Sequence, residues 1–245
     1  MDQQHPSPSR WAIVLAGGEG TRMQPLVHRW LGFNRPKQYC AFVGSRSMFQ
    51  HTVDRAALVT APERIVAVVG RDHRDEILTQ LQGRTIGQVI YQPRNCETAA
   101  GLFLPLTYIH ARAPDATVVI FPSDHFIHPE DRFLAAVGRI ADLAETMPDR
   151  LVLLGIRPDR LEMEYGWILP GAALSSQEDA PLCEVHSFME KPNRIQAVKA
   201  FRHGALWNTF VFAARAELLW QVGRRCLPDV MRRFERLRSV IGRSQ

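Results

Sequence analysis

Six consecutive residues, Gly17-Gly18-Glu19-Gly20-Thr21-Arg22, combine three glycines with a hydroxyl and a guanidinium directly after the apolar run Trp11 to Ala16. A buried strand that stops in glycines leaves backbone free to turn sharply and come close to a ligand. Successive N–H groups in such a loop form an anion nest, which Thr21 and Arg22 extend, and a triphosphate suits that chemistry. Taken alone, the glycines fit an ordinary tight turn equally well. Two commoner phosphate loops are excluded. A dinucleotide fingerprint needs a glycine where Met23 stands, and no Gly-Lys-Ser/Thr follows as a P-loop requires.

A second candidate is Asp124, which directly follows the apolar run Val118 to Phe121. Ligands of open α/β sheets bind beyond the carboxyl ends of the strands. A carboxylate there suits Mg²⁺, which takes oxygen ligands and usually keeps several waters. Capping of the next turn is the alternative role. His125 beside it serves a structural hydrogen bond as readily as a ligand contact.

Together with Pro36-Lys37, the loop Leu15-Ala16-Gly17-Gly18-Glu19-Gly20-Thr21-Arg22 resembles the signature of the sugar-1-phosphate nucleotidyltransferases. Further segments match in the same order, and they resemble the mannose-1-phosphate guanylyltransferase-like branch. Gln92-Pro93-Arg94-Asn95-Cys96-Glu97-Thr98-Ala99 is similar to its base-binding segment, and Pro122-Ser123-Asp124-His125 to its metal-site motif. Glu164-Tyr165-Gly166-Trp167-Ile168, Glu190-Lys191-Pro192 and Trp207-Asn208-Thr209-Phe210 are similar to its sugar-binding motifs.

The resemblance implies that a sugar 1-phosphate attacks the α-phosphorus of a nucleoside triphosphate and pyrophosphate leaves. The favoured substrates are GTP and mannose 1-phosphate. The attacking oxygen is already anionic near neutral pH, so the site needs positioning and charge neutralisation rather than a Ser/His or Cys/His pair. Arg22 and Lys37 are implied as the cations on the triphosphate, and Asp124 as the Mg²⁺ ligand. Leu15, Ala16, Gly17, Gly18, Gly20 and Thr21, with Gln92, Asn95 and Thr98, are implied to hold the nucleotide. On the sugar side, Lys191 pairs with the sugar phosphate and Glu190 accepts from hexose hydroxyls. Gly166 offers backbone to the sugar and Asn208 its amide. The rings of Trp167 and Trp207 read as packing rather than as stacking platforms.

These residues need a scaffold, and the patterning supplies one. Short apolar runs at 11–16, 64–70, 88–91, 117–121 and 151–155 alternate with amphipathic stretches at 47–58, 72–81, 98–111 and 131–145. Strands spaced by helices argue for βαβ units and a mostly parallel, doubly wound, Rossmann-like α/β sheet. After Gly155 the pattern changes, with strands at 165–169, 182–189 and 208–212 and one short helix at 194–202. That segment reads as a mixed, substrate-facing lobe. Residues 1–10 read as a disordered lead-in and 11–245 as one domain. The chain ends in a helical stretch with Val230, Phe234, Leu237 and Ile241 at helical spacing and arginines elsewhere around it.

Composition narrows the function classes. The chain has 245 residues, 46% of them hydrophobic, which is ample for a core. Its net charge of +5 favours anionic partners, and a phosphorylated substrate satisfies that. The basic residues are spread along the chain, which disfavours nucleic acid. No apolar run approaches the roughly 20 residues that span a bilayer. The four cysteines show no CxxC spacing, so a reduced, cytoplasmic setting is expected, and a homo-oligomer is allowed.

The chain departs from the family pattern in three places. The span from Met23 to Pro36 is a few residues longer than usual and is expected to form a flap with Trp30 and Phe33 as anchors. Cys96 and Glu97 stand where relatives commonly carry Arg-Gly; a glycine that lets backbone approach the base is replaced by a long carboxylate, which counts against guanine preference unless that carboxylate accepts from the guanine amide and amine. Nothing between Asp229 and Gln245 resembles the segment that supplies relatives with a second acidic metal ligand, so the C-terminal part is expected to be short relative to the family.

Overall fold

The computed structural model describes residues 9–175 and 181–241. In chain order the elements are β1 (Arg10–Ala16), α1 (Gln24–Leu31), α2 (Met48–Ala57), β2 (Ile65–Gly70), α3 (Arg74–Gln80), β3 (Gln88–Gln92), α4 (Glu97–Arg112), β4 (Thr117–Pro122), α5 (Glu130–Thr146), β5 (Val152–Ile156), β6 (Gly166–Ser175), β7 (Leu182–Glu190), α6 (Arg194–Arg202), β8 (Leu206–Arg215), α7 (Ala216–Cys226) and α8 (Pro228–Val240). They fall into two compact units, one holding the residues up to Val152 and from Phe212, the other Leu153–Val211.

In the first unit β3, β2, β1 and β4 lie side by side and parallel. The Phe212–Arg215 end of β8 pairs antiparallel with β4. Ala12, Ile13 and Val14 are fully buried, as are Ile65 to Ala67 and Val118 to Ile120. A parallel sheet covered on both faces needs apolar side chains at successive positions, which is why these strands read as unbroken runs. Because β1, β3 and β4 are parallel, the glycine loop, the base segment and Asp124 all leave the sheet from one edge. Ser47 opens α2 with a capping box, its hydroxyl accepting from Gln50 N–H at 3.1 Å while Gln50 accepts from Ser47 N–H at 2.9 Å.

The second unit is built on the antiparallel pair β6 and β7, with Trp207 and Leu206 of β8 paired to Trp167 and Ile168. Trp167 and Trp207 pack with Ala197, Ala200 and Ala205, so both rings belong to the core, as the sequence implies. Asn193 caps α6 by accepting from Gln196 N–H.

Several boundaries differ from the sequence reading. Arg10 begins β1 and ion-pairs with Glu145 at 2.7 Å, so no lead-in extends to it, and residues 1–8 lie outside the described residues. Strands β6 and β8 run longer than the apolar stretches that marked them: the exposed end of β6 pairs with β7, and β8 continues through the buried Ala213 and Ala214, which pair with β4. The segment expected as a flap contains α1, started by Pro25 near its N-terminus and ended by Gly32 at φ 80. Its buried residue is Val27. Trp30 and Phe33 are about half exposed, Trp30 stacking on Phe42 and Phe33 lying under Arg35.

The terminal helix also turns a different face inward. Met231 is its buried residue, while Val230 and Leu237 are exposed. Helix α7, an amphipathic stretch not assigned above, packs beside it with Leu219, Trp220 and Gly223 buried. His110 of α4 is buried and stacks on Trp220 with ring centres 4.5 Å apart. Arg238 lies over the same Trp220 and donates to His110 Nδ1 at 2.9 Å. Guanidinium is donor only, so Nδ1 accepts and the Nε2 proton goes to Glu217 at 2.7 Å. Arg238 thus shares the inward face of α8 with Met231 and with Phe234, whose ring lies 6.4 Å from that of Phe103.

Candidate active site

The nucleotide half of the site lies in the first unit. From the last two residues of β1 into the loop, the four consecutive carbonyls of Leu15 to Gly18 accept side-chain hydrogen bonds. Ser123 donates to Leu15 through N–H at 3.1 Å and through its hydroxyl at 2.7 Å. Gln38 donates to Ala16 at 3.1 Å and to Gly18 at 2.7 Å, Tyr39 donates to Ala16 at 3.3 Å, and Gln92 donates to Gly17 at 3.1 Å. Among the described residues no acceptor meets the N–H groups of Gly18, Glu19 or Gly20. Carbonyls held by the protein with amides left to the outside make an anion nest. Gly17 leaves room for Gln92, since a Cβ there would stand 2.3 Å from Gln92 Nε2 and displace that side chain. Gly20 adopts φ 61 where the loop passes Lys37.

Gln92 and Gln38 are buried, so Gln92, expected at the base, serves to hold the loop. Gln38 was missed, although its place after Pro36-Lys37 is the available signal. Ala16 is buried and Leu15 half-buried, so their contribution is through backbone. Thr21 and Arg22 sit exposed on the turn Thr21–Met23.

Lys37, on the turn Lys37–Tyr39, donates from Nζ to Asp124 Oδ2 at 2.6 Å, which joins the loop side of the site to the end of β4. Burial pushes the Asp124 carboxyl up, but His125 and Lys37 outweigh it and hold the group below the ordinary carboxylate value. Burial pushes His125 down, assisted by the charges of Lys37 and Arg55 and opposed by Asp124. His125 Nε2 is 3.7 Å from Asp124 Oδ1. Among the described residues no three His, Cys, Asp or Glu side chains cluster as a metal cage. A single carboxylate fits Mg²⁺ only where substrate phosphates and water complete its shell.

The base segment follows β3. Asn95, Cys96, Glu97 and Thr98 are exposed, and Asn95 Oδ1 accepts from Glu97 N–H at 3.0 Å. Glu97 has φ 64, Lys191 φ 45 and Phe210 φ 57, and these are the non-glycine residues with positive φ among those described. All three stand in the family-like segments, and such conformations, costing of order 1–3 kcal/mol, concentrate at ligand sites.

In the second unit Gly166, Glu190 and Asn208 meet. A Cβ on Gly166 would lie 2.9 Å from Glu190 Oε2, 2.8 Å from Phe188 Cζ and 3.4 Å from Asn208 Cβ. Only a residue without a side chain fits here, because Phe188, Glu190 and Asn208 close over the Gly166 Cα. Asn208 spends its carbonyl on Phe210 N–H at 3.0 Å and keeps its amide protons to donate. Lys191 is exposed at the end of β7.

Similarity to known proteins follows the same residues. Residues 11–230 match the family model described as nucleotidyl transferase. Mannose-1-phosphate guanylyltransferase of Escherichia coli is 30% identical over 94% of this chain and 48% of its own length. The xanthan biosynthesis protein XanB of Xanthomonas campestris is 33% identical over 89% of this chain and 44% of its own. The chain thus spans about half the length of these relatives. A crystal structure described as mannose-1-phosphate geranyltransferase of Thermus thermophilus superposes with TM-score 0.79 at 28% identity, over 94% of this chain and 64% of that one. The glycine loop tied to the sheet, the Lys37–Asp124 pair and the match over residues 11–230 agree: this chain belongs to the nucleotidyl transferase family.

Proposed function

We propose that the chain joins a nucleoside triphosphate, with GTP favoured, to a hexose 1-phosphate, with mannose 1-phosphate favoured, giving a nucleotide sugar and pyrophosphate. The observation that carries this reading is the Lys37–Asp124 pair beside a loop whose carbonyls are anchored and whose Gly18–Gly20 amides meet no acceptor among the described residues. A phosphate oxygen of the sugar 1-phosphate forms a bond to the α-phosphorus, the bond between that phosphorus and the α–β bridging oxygen breaks, and pyrophosphate carries that oxygen away. Gly18 to Thr21 bind the triphosphate through backbone and hydroxyl. Arg22 and Lys37 neutralise charge that develops on the phosphates, the kind of preorganised stabilisation that contributes most in such reactions. Glu190, Lys191 and Asn208 hold the sugar phosphate.

Asp124, together with substrate phosphates, would hold Mg²⁺, which supplies charge neutralisation on the nucleotide. The nucleotide-holding roles of Gln92, Asn95 and Thr98 belong to the same reading, Gln92 acting through the loop. Glu97 supports guanine. A carboxylate only accepts, and guanine presents two adjacent donors, N1–H and the 2-amino group, on one edge. No helix among the described residues is long and apolar enough to cross a membrane, and the described cysteines are free thiols, which suits a cytoplasmic setting.

Incubation with GTP, mannose 1-phosphate, Mg²⁺ and pyrophosphatase should yield GDP-mannose. Absence of product across a panel of nucleotides and hexose 1-phosphates overturns the enzymatic reading. Tight nucleotide binding without turnover would then mark the chain as a nucleotide-binding relative.

A further inference from the structure

The sugar-side residues include an aromatic ring that no motif singled out. Strands β6 and β7 pair Gly166 with Glu190, Trp167 with Met189 and Ile168 with Phe188. Side chains alternate across a sheet, so Gly166, Ile168, Phe188 and Glu190 share one face while Trp167 and Met189 take the other. The neighbouring pair Trp167 and Trp207 places Trp207 with the second group and Asn208 with the first. Trp167 and Trp207 are 0% and 8% exposed, and both are used in the core with α6. Phe188 is 47% exposed.

Gly166 fixes where that ring lies. Its missing side chain leaves room for Phe188 Cζ and Glu190 Oε2, each within 3 Å of where a Cβ would be, with Asn208 Cβ at 3.4 Å. An exposed phenyl, a carboxylate with no ion-pair partner among the described residues, and an amide with protons to donate therefore meet at one spot. A pyranose has a complementary make-up: a patch of C–H groups on the ring face and hydroxyls around the rim. The C–H groups carry partial positive charge and sit well on the negative face of an aromatic ring, while rim hydroxyls donate to carboxylate and accept from amide.

We propose that Phe188 is the platform on which the hexose ring stacks. This inference rests on the nucleotidyl-transfer reading above. It differs from the sugar-binding roles of Glu190, Lys191 and Asn208 in making the apolar face of the sugar the part that Phe188 reads.

The test uses the full chain with Phe188→Ala, Phe188→Leu and Phe188→Tyr. Steady-state rates should show the Ala variant raising KM for mannose 1-phosphate at least tenfold with KM for GTP within twofold. The Tyr variant should restore it and the Leu variant should not. A ring-current upfield shift of hexose C–H protons, read by NMR, should be present in the wild type and Tyr variant and absent in the Leu variant, an effect that packing alone would not produce. Unchanged sugar KM in the Ala variant, or equal proton shifts in the Leu variant, overturns the platform while wild-type turnover leaves the enzymatic reading standing. Should wild type show neither turnover nor mannose 1-phosphate binding by calorimetry, both readings fall together. Should the Ala variant not fold, judged by its melting curve, the Leu and Tyr pair decides.

Discussion

Lys37 Nζ lies 2.6 Å from Asp124 Oδ2, so a cation on the segment after the glycine loop and a carboxylate at the end of β4 hold each other across the edge of the parallel sheet. Each side chain is about a third exposed, and ion pairs in that setting add at most about 1 kcal/mol to stability. Their value to the protein is placement. Lys37→Met and Asp124→Asn should therefore each lower the rate of nucleotide-sugar formation by about 100-fold or more, the scale of losing one preorganised charge contact, while thermal unfolding shifts little. Variants that melt far earlier than wild type, with a proportionate loss of rate, would make the pair structural instead.

Acid should loosen this region in two steps. Burial lowers His125, so the folded chain prefers the neutral ring while the unfolded chain takes up a proton at the ordinary value near 6.5. That contribution is present above pH ~6.5 and declines as pH falls below it. Asp124, pushed up by burial but held down overall by His125 and Lys37, contributes above the ordinary carboxylate value near 3.9 and loses its contribution as pH falls through its lower folded value. Urea midpoints measured from pH 7.5 to 4 should fall less steeply for His125→Asn than for wild type. Parallel curves would count against the assignment.

Gly17 and Gln92 should behave as a coupled pair. An added methyl at Gly17 meets Gln92 Nε2 at 2.3 Å, and the displaced amide also gives up its bond to the Gly17 carbonyl. Overpacking of this kind costs about 1–3 kcal/mol. Gly17→Ala should raise KM for the nucleotide and lower stability, whereas Gly17→Ala combined with Gln92→Ala should recover part of the stability loss. Strict additivity in the double-mutant cycle would show that the two do not share the space.

Glu97 carries φ 64, a conformation that costs a residue with a Cβ about 1 kcal/mol relative to glycine. Replacing it with glycine should leave stability equal or up to about 1 kcal/mol higher. If its carboxylate reads the base, the same change should reduce the preference for GTP over other triphosphates, measured as a ratio of kcat/KM values, and Glu97→Gln should do so too. An unchanged nucleotide ratio in both variants removes Glu97 from base selection.

Much of this architecture is visible in one dimension because it is local. The unbroken apolar runs of β1, β2 and β4 follow from burial on both sheet faces, and the Ser47–Gln50 cap from the four residues that form it. The glycine loop, Lys37 and Asp124 were legible as candidates because each chemistry demands particular residue types. Contacts between distant segments were not. That Gln92 and Gln38 face the loop carbonyls, that Lys37 reaches Asp124, and that Phe188 and Glu190 meet Gly166 and Asn208 depend on which strands lie side by side and in what register. Helix α8 makes the same point, since the meeting of Arg238 with the buried His110 joins residues 128 positions apart. Residue type and spacing determined the chemistry available to this chain; the pairing of the strands decided which side chains meet, because register sets which residues stand opposite each other and the unbroken apolar runs of strands buried on both faces carry no alternation that would reveal it.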